Sequence, residues 1–355
     1  MAPNQKELAK LAGVSAGTVS NVISGSAKVS ERSRQKVLEA IRVLNYRPNL
    51  IARSLKTNRT YTLGIVIPDI TIPFFPKIVR GAEAAARERG YFLIVLDSEG
   101  SAEREADMLA LLRAQRVEGI LLVTAQSREA AETEDPQSVA GSPIICVDRV
   151  PVDLEVDSVC VDDAGASEMA TAHLIENGHT RIAIITGPLS LQNERERLRG
   201  YRNALTRAGI PVDDSLIWNA AFGQEVVSGL CQRGFRTGDS KPTALLATNG
   251  VTGMAALRSL YSLGLRTPRD FAFVTFDQVN AEALFKPGIS TVVQPTYEMG
   301  HRAVEVLLRR IEGGEQSPPP ITRVQLPAEL VVRESSAGRL KDEPAKSETK
   351  KHAKE

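Results

Sequence analysis

Two kinds of hydrophobic pattern divide the chain near residue 60. Before that point, apolar residues recur three and four apart in short runs, the period of small amphipathic helices. Asn4 opens the first, with Glu7 at capping-box spacing, and the helix runs through Leu11. Gly13 supplies a turn, Val14 faces inward, and Ser15 caps a second helix from Ala16 to Ile23. Ser30 caps a third, whose Val37, Leu38, Ile41 and Leu44 predict a small core against Leu8, Leu11 and Val19. This is an all-α helix-turn-helix headpiece, followed by a basic segment that can become a fourth helix.

After residue 60, continuous apolar runs alternate with amphipathic stretches. Strands are predicted at 63–67, 92–96, 119–123, 144–147, 158–161, 182–186, 216–219, 244–248 and 272–275, with helices at 75–89, 102–113, 164–177, 194–208, 225–233, 253–263 and 297–311 between or after them. Such alternation means parallel sheets covered on both faces, here an α/β body of two doubly wound lobes. The expected division is a headpiece at 1–48, a hinge and linker at 49–60, a first lobe at 61–161 plus 291–322, a second at 162–290 plus 323–337, and a disordered tail at 338–355. The strand at 290–293 and the helix after it are expected to return the chain to lobe one, and residues 329–333 to recross to lobe two. Several crossings make a hinge on which lobes can close.

Charge sharpens the division. The net charge of +1 conceals a headpiece holding eleven Lys and Arg against Glu7, Glu31 and Glu39, a surplus of eight in residues 1–60 that leaves the remainder acidic. Lys6, Lys10, Lys28, Arg32, Arg34, Arg47, Arg53, Lys56 and Arg59 are placed to neutralise DNA phosphates. The outer face of the second helix offers Ser15, Ala16, Gly17, Thr18, Ser20 and Asn21, small or hydrogen-bonding groups suited to a major groove, with Asn21 able to bond adenine bidentately.

In open α/β sheets, ligands bind beyond the carboxyl ends of the strands. There the chain places Asp69, Phe74, Phe75, Asp148, Arg149, Asn249 and Asp277, with Arg195 and Arg197 opening a helix after Gly187-Pro188. Convergent charge, amide and aromatic groups suit a small polar ligand such as a sugar. Cys146, Cys160 and Cys231 show no Cys-x-x-Cys pair, and the four His have no metal-ligand spacing, so neither disulfide, metal nor cofactor is expected. No apolar run approaches the roughly 20 residues that span a bilayer, which predicts a cytoplasmic protein without membrane contact.

The runs Ala12-Gly13-Val14-Ser15, Thr18 to Val22, Asn45-Tyr46-Arg47-Pro48-Asn49 and Ala52-Arg53-Ser54-Leu55 closely resemble the lactose- and galactose-repressor family of bacterial transcription factors, and the resemblance covers nearly the whole chain. It implies a periplasmic-binding-protein-like body and a homodimeric repressor on near-palindromic double-stranded operator DNA. The segment after Pro48 is then a hinge helix formed on DNA, with Leu55 wedged into the minor groove and Asn49, Ala52, Arg53 and Lys56 beside it. Arg197, Asn249 and Asp277 match effector-binding positions, as do Phe75, Phe222 and Arg149. Two departures stand out: Gly250 replaces an acidic residue that many relatives carry, and Ile72 replaces an asparagine. A leucine heptad for tetramers is missing after Ala337, which favours a dimer.

Two other classes fit the sequence less well. Gly13-Val14-Ser15-Ala16-Gly17 matches the nucleophile elbow of α/β hydrolases, but that motif needs a strand before its serine and a helix ends there instead. A solute-binding protein would account for the body and leave the headpiece unexplained.

Overall fold

The structure, a computed structural model, describes residues 4–23, 29–46, 59–125, 142–150, 155–220, 224–236, 241–277, 286–313 and 320–336. The chain divides into two compact units, Met1–Tyr61 and Thr62–Glu355. Asn49, Ala52, Arg53, Leu55, Lys56 and Phe222, and the tail, lie outside the described residues.

The headpiece holds α1 (Gln5–Ala12), α2 (Ala16–Ile23) and α3 (Glu31–Leu44). Asn4 caps α1 with a complete capping box to Glu7, and Gly13 closes it at φ +62°, a left-handed conformation glycine adopts without strain. Leu8, Val19 and Val37 are fully buried as expected. Leu11 and Leu38 are not: they stand 52% and 43% exposed, while Ala12, Ala40 and Tyr46 complete the core. On helices this short the buried stripe is narrow, and small residues let the backbones approach, leaving the flanking leucines outside.

The body contains two six-stranded sheets. Lobe one is built on β1 (Thr62–Ile67), β2 (Phe92–Asp97), β3 (Gly119–Leu122), β4 (Ile144–Val147) and β5 (Asp157–Val161), with α4 (Phe74–Glu88) and α5 (Ala102–Ala114). Lobe two holds α6 (Asp163–Glu176), β6 (Ile182–Thr186), α7 (Gln192–Arg207), β7 (Ile217–Asn219), α8 (Gln224–Gly234), β8 (Ala244–Ala247), α9 (Gly250–Ser262), β9 (Ala272–Phe276) and β10 (Ser290–Val293). The chain then forms α10 (Thr296–Gly313), β11 (Arg323–Leu326) and β12 (Glu329–Val331). The sheet orders are β11-β5-β4-β3-β1-β2 and β12-β10-β9-β8-β6-β7, the same winding twice, parallel except where β12 runs against β10. Each sheet therefore has its switch point between corresponding strands, β1 and β3 in lobe one, β6 and β8 in lobe two.

Two lobe boundaries differ from the sequence reading. β10 pairs with β9 and belongs to lobe two, so only α10 returns to lobe one, and β11 pairs with β5 in lobe one rather than lying in lobe two. Register explains both: β10 continues the parallel winding beside β9, a neighbour that an apolar run alone does not reveal. The crossings thus fall at 161–163, 293–296 and 326–329, and the first and third are tied by the Asp162 N–H donating to the Leu326 carbonyl at 3.0 Å.

The helices entered after two crossings are docked backbone to backbone. A Cβ on Gly300 of α10 would collide with the Ile78 carbonyl of α4, and one on Gly200 of α7 with the Ala164 carbonyl of α6. Gly300→Ala is expected to destabilise the body by about 1–3 kcal/mol, because overpacking outweighs the helix propensity gained. Urea denaturation followed by circular dichroism checks this; an unchanged or higher midpoint would show that the helices separate freely.

Candidate functional site

Beyond the carboxyl ends of the strands, two aspartates occupy matching places. Asp148 follows β4 and Asp277 follows β9, at φ +66° and +65°, and each donates its N–H at 3.0 Å to the neighbouring strand, to Val159 and Val292 respectively. Left-handed backbone costs a non-glycine residue roughly 1–3 kcal/mol, least for Asp and Asn, so it persists only where the surroundings impose it. The repeated geometry aims one carboxylate from each lobe at the space between them.

Arg197 lies at the centre of the lobe-two wall. Its Nε donates to Asp163 at 2.7 Å, Nη1 to the Thr248 carbonyl at 2.7 Å and Nη2 to Gln294 at 3.3 Å, while its guanidinium carbon sits 4.5 Å from the Phe276 ring centroid. Gln294 in turn donates to Asp277 at 2.7 Å, and the second Asp277 oxygen accepts from the Gly250 N–H at 3.3 Å. Gly250 is thus accommodated without an acidic side chain: a Cβ there would stand 3.3 Å from that of Asp277. Asn249 caps α9 through the Thr252 N–H at 2.9 Å and donates to Glu194 at 3.0 Å, so its expected place in the site coincides with a structural duty. Glu194 also accepts from the Gly187 N–H at 2.9 Å and from the Thr248 hydroxyl.

Lobe one contributes Arg149, whose guanidinium carbon lies 5.7 Å from the Phe75 ring centroid and whose Nη1 donates to the Thr124 carbonyl at 3.3 Å. Its Nε is buried without a hydrogen bond, 3.6 Å from the Asp148 carboxylate. Glu105, fully buried behind it, accepts from the Thr124 hydroxyl and the Ala125 N–H. Phe74 packs edge-on against Phe75, which is itself buried, and Asp69 spends one oxygen in a turn with Thr71. Asp69 is held by its own loop; Asp148, Arg149, Arg197, Asn249 and Asp277 supply the polar groups, with the Phe75 ring beside Arg149.

Burial raises the affinity of these carboxyls for protons. It pushes Asp148 up, only partly offset by Arg149 and Arg197, with Asp277 and Glu194 across the cleft adding to it. Burial likewise raises Asp277 against Arg197 and Gln294, and lifts Asp163 to about 7 despite the adjoining guanidinium. Asp148 of lobe one thus shares its electrostatic environment with Arg197, Asp277 and Glu194 of lobe two.

Sequence reasoning missed Glu105, Asp163, Glu194 and Gln294. Asp163 and Gln294 closely follow strands β5 and β10, the rule that found Asp148. Glu105 and Glu194 sit in first helical turns, where acids ordinarily complement the dipole at the surface.

On the headpiece, Ser15, Ala16, Gly17 and Asn21 are exposed and Thr18 and Ser20 half-buried, opposite the buried Val19 and Val22. The Ser15 hydroxyl accepts from the Thr18 N–H at 3.1 Å, the cap expected of it. The residues expected to read DNA therefore share one surface. Among the described residues, no helix is long and apolar enough to cross a membrane, and no group of three or more His, Cys, Asp or Glu is placed to hold a metal ion.

A helix-turn-helix headpiece on a two-lobed α/β body with a polar cleft defines the class: a DNA-binding regulator with a ligand-binding body. Residues 60–333 match the family model for periplasmic binding proteins and sugar binding domain of LacI family, and residues 5–49 match that for bacterial regulatory proteins, lacI family. The chain belongs to the LacI family. The ribose operon repressor of Escherichia coli (strain K12) is 37% identical over 307 residues, covering 86% of this chain and 92% of the relative. The HTH-type transcriptional repressor PurR of Aliivibrio fischeri (strain MJ11) is 34% identical over 338 residues, covering 95% and 99%. Among solved structures, the Lac repressor dimer bound to operator and the anti-inducer ONPF matches with a TM-score of 0.80 at 25% identity, covering 95% of this chain and 100% of that one. The transcriptional regulator CelR in complex with cellobiose matches at 0.68 and 33% identity, covering 94% and 99%. The protein is a DNA-binding repressor with a small-molecule effector.

The raised carboxyls fix a sign for pH dependence. A carboxyl whose folded pKa exceeds its unfolded value contributes stability that is full below the unfolded value, about 3.9 for Asp, and is lost as pH rises through the folded one. Asp148→Asn escapes that loss, so its stability relative to the unaltered protein should improve as pH rises above the ordinary Asp range of about 3.9 in thermal melts. A difference independent of pH, or running the other way, would mean Asp148 is ionised at no cost in the cleft.

Proposed function

We propose that the effector occupies the space between Asp148, Arg149 and Phe75 of lobe one and Arg197, Asn249 and Asp277 of lobe two, and that it is a carbohydrate or sugar derivative. The observation that carries this reading is the pair of left-handed aspartates, one per lobe, sharing a field with Arg197. Carboxylates accept from ligand hydroxyls, guanidinium groups donate to ring and hydroxyl oxygens, and Phe75 offers an apolar edge. The names of the ribose operon repressor and of the cellobiose complex support a sugar. Phe222, Phe74 and Asp69 are secondary candidates.

On the DNA side, a homodimer reads a near-palindromic operator in the cytoplasm, each copy laying α2 in a major groove with Asn21 as the principal base reader and Ser15, Ala16, Gly17, Thr18 and Ser20 beside it. Asn49, Ala52, Arg53, Leu55 and Lys56 form the proposed hinge contacts, with Leu55 as the minor-groove wedge. Binding at both sites, rather than catalysis, is the proposed chemistry, and closure of the lobes on ligand sets the affinity for DNA.

Two measurements test the halves separately. Asn21→Ala should lose roughly 1–3 kcal/mol of discrimination between a duplex selected from a random pool and a scrambled one, with non-specific affinity retained; a loss equal on both duplexes would confine Asn21 to phosphate. Arg149→Ala should leave selected-duplex binding intact while abolishing its response to whichever sugar shifts the unaltered protein, and a preserved response would place the effector elsewhere. Arg197 is unsuited to this test, because removing it strands the buried Asp163 at a cost of roughly 3–5 kcal/mol.

A further inference from the structure

At the carboxyl end of an open α/β sheet, the free N–H groups at the switch point are the usual seat for a phosphate. Here each of the four switch-point strands is followed by such an N–H, and each is already taken by a carboxylate of the protein itself. After β1, the Ile70 N–H donates to Asp97 at 2.9 Å; after β3, the Ala125 N–H donates to Glu105. After β6, the Gly187 N–H donates to Glu194 at 2.9 Å; after β8, the Gly250 N–H donates to Asp277 at 3.3 Å. The same arrangement appears in both lobes although the carboxylates come from different elements: β2 and α5 in lobe one, α7 and the end of β9 in lobe two.

The charged side chains point the same way. Among the described residues lining this space, Arg149 and Arg197 face Glu105, Asp148, Asp163, Glu194 and Asp277. Arg197 is bonded to Asp163, Thr248 and Gln294, whereas Arg149 is less fully engaged, with Nη1 on the Thr124 carbonyl and a buried Nε that makes no hydrogen bond.

We infer that this cleft selects an uncharged, hydroxyl-rich effector and rejects its phosphorylated counterpart, with Glu194 and Asp277 setting that selectivity by occupying the amides a phosphate would need. The inference rests on the effector site proposed above. A phosphate entering the cleft would meet a cluster of buried carboxyls in a poorly screened space and find the four switch-point amides already bonded. A neutral polyol gives its hydroxyl protons to Asp148 and Asp277 and accepts from Arg149.

The test uses the full chain and matched probes: neutral aldopentoses, aldohexoses and nucleosides, each beside its own monophosphate ester, screened by thermal shift and quantified by calorimetry. For the neutral probe that binds best, the ester should bind at least about a hundredfold more weakly. In Glu194→Gln, and independently in Asp277→Asn, that ratio should shrink by about tenfold, since each exchange removes a charge and loosens its hold on one amide; a purely structural role would weaken both members of the pair alike. An ester that binds as well as or better than its neutral partner overturns the inference and leaves the effector site standing, as does a ratio unchanged in both variants. A panel in which nothing binds overturns the effector site and the inference together.

Discussion

The buried contact between Arg197 and Asp163 organises the body. Asp163 opens α6 directly after the first crossing between lobes, and Gln294, another partner of the same guanidinium, lies at the second. The third crossing joins the first through the Asp162 to Leu326 backbone bond. One side chain, stacked on Phe276 and anchored to the Thr248 carbonyl, therefore holds together the ends of β8, β9 and β10 and the paths by which the chain changes lobe. Asp277 is bonded through Gln294 to the same guanidinium, so the cleft and the junction between lobes share one hydrogen-bond network.

Such a site is costly to assemble. Carboxylates sequestered from water at this density repel one another, and burial drives Asp148, Asp163 and Asp277 toward their neutral forms. The fold tolerates them because neutral donors carry much of the load: Gln294 and the Gly250 N–H for Asp277; Gly187, Thr248 and Asn249 for Glu194. Asp148 lacks comparable support, having mainly Arg149 at 3.6 Å. It is the group with most to gain from a hydroxyl donor, and it stands opposite the best-supported wall. That asymmetry suits a site in which one lobe is fixed beforehand and the other completes its bonding only when ligand is present.

Much of this was legible in the chain, for reasons specific to particular residues. The capping signals Asn4, Ser15 and Ser30 act over three residues and were readable without knowing the fold, as were the apolar runs that became parallel strands. The strand-end rule located Asp148, Asn249 and Asp277 because a strand's carboxyl end is itself visible in sequence. What sequence did not reveal depended on partners far away in the chain. Whether β10 joins lobe one or lobe two is decided by pairing with β9, and the burial of Glu105 by its neighbours Thr124 and Ala125. Leu11 and Leu38 obey helical periodicity and still face outward, since three short helices have room for fewer large side chains than the pattern offers.

The headpiece reaches stability by a different route, and the difference constrains regulation. Its core consists mainly of Ala and Val around Leu8 and Tyr46, so local devices matter more: the capping box at Asn4, the left-handed Gly13 and Asn45, and the Ser15 and Ser30 caps. Caps contribute about 1 kcal/mol each and depend only on residues within a turn of them. The surface carrying Asn21 is therefore set by its own neighbours within the headpiece. A coupling free energy between a headpiece built this way and a ligand-binding body requires only that the body's lobe arrangements differ in how they present a pair of headpieces.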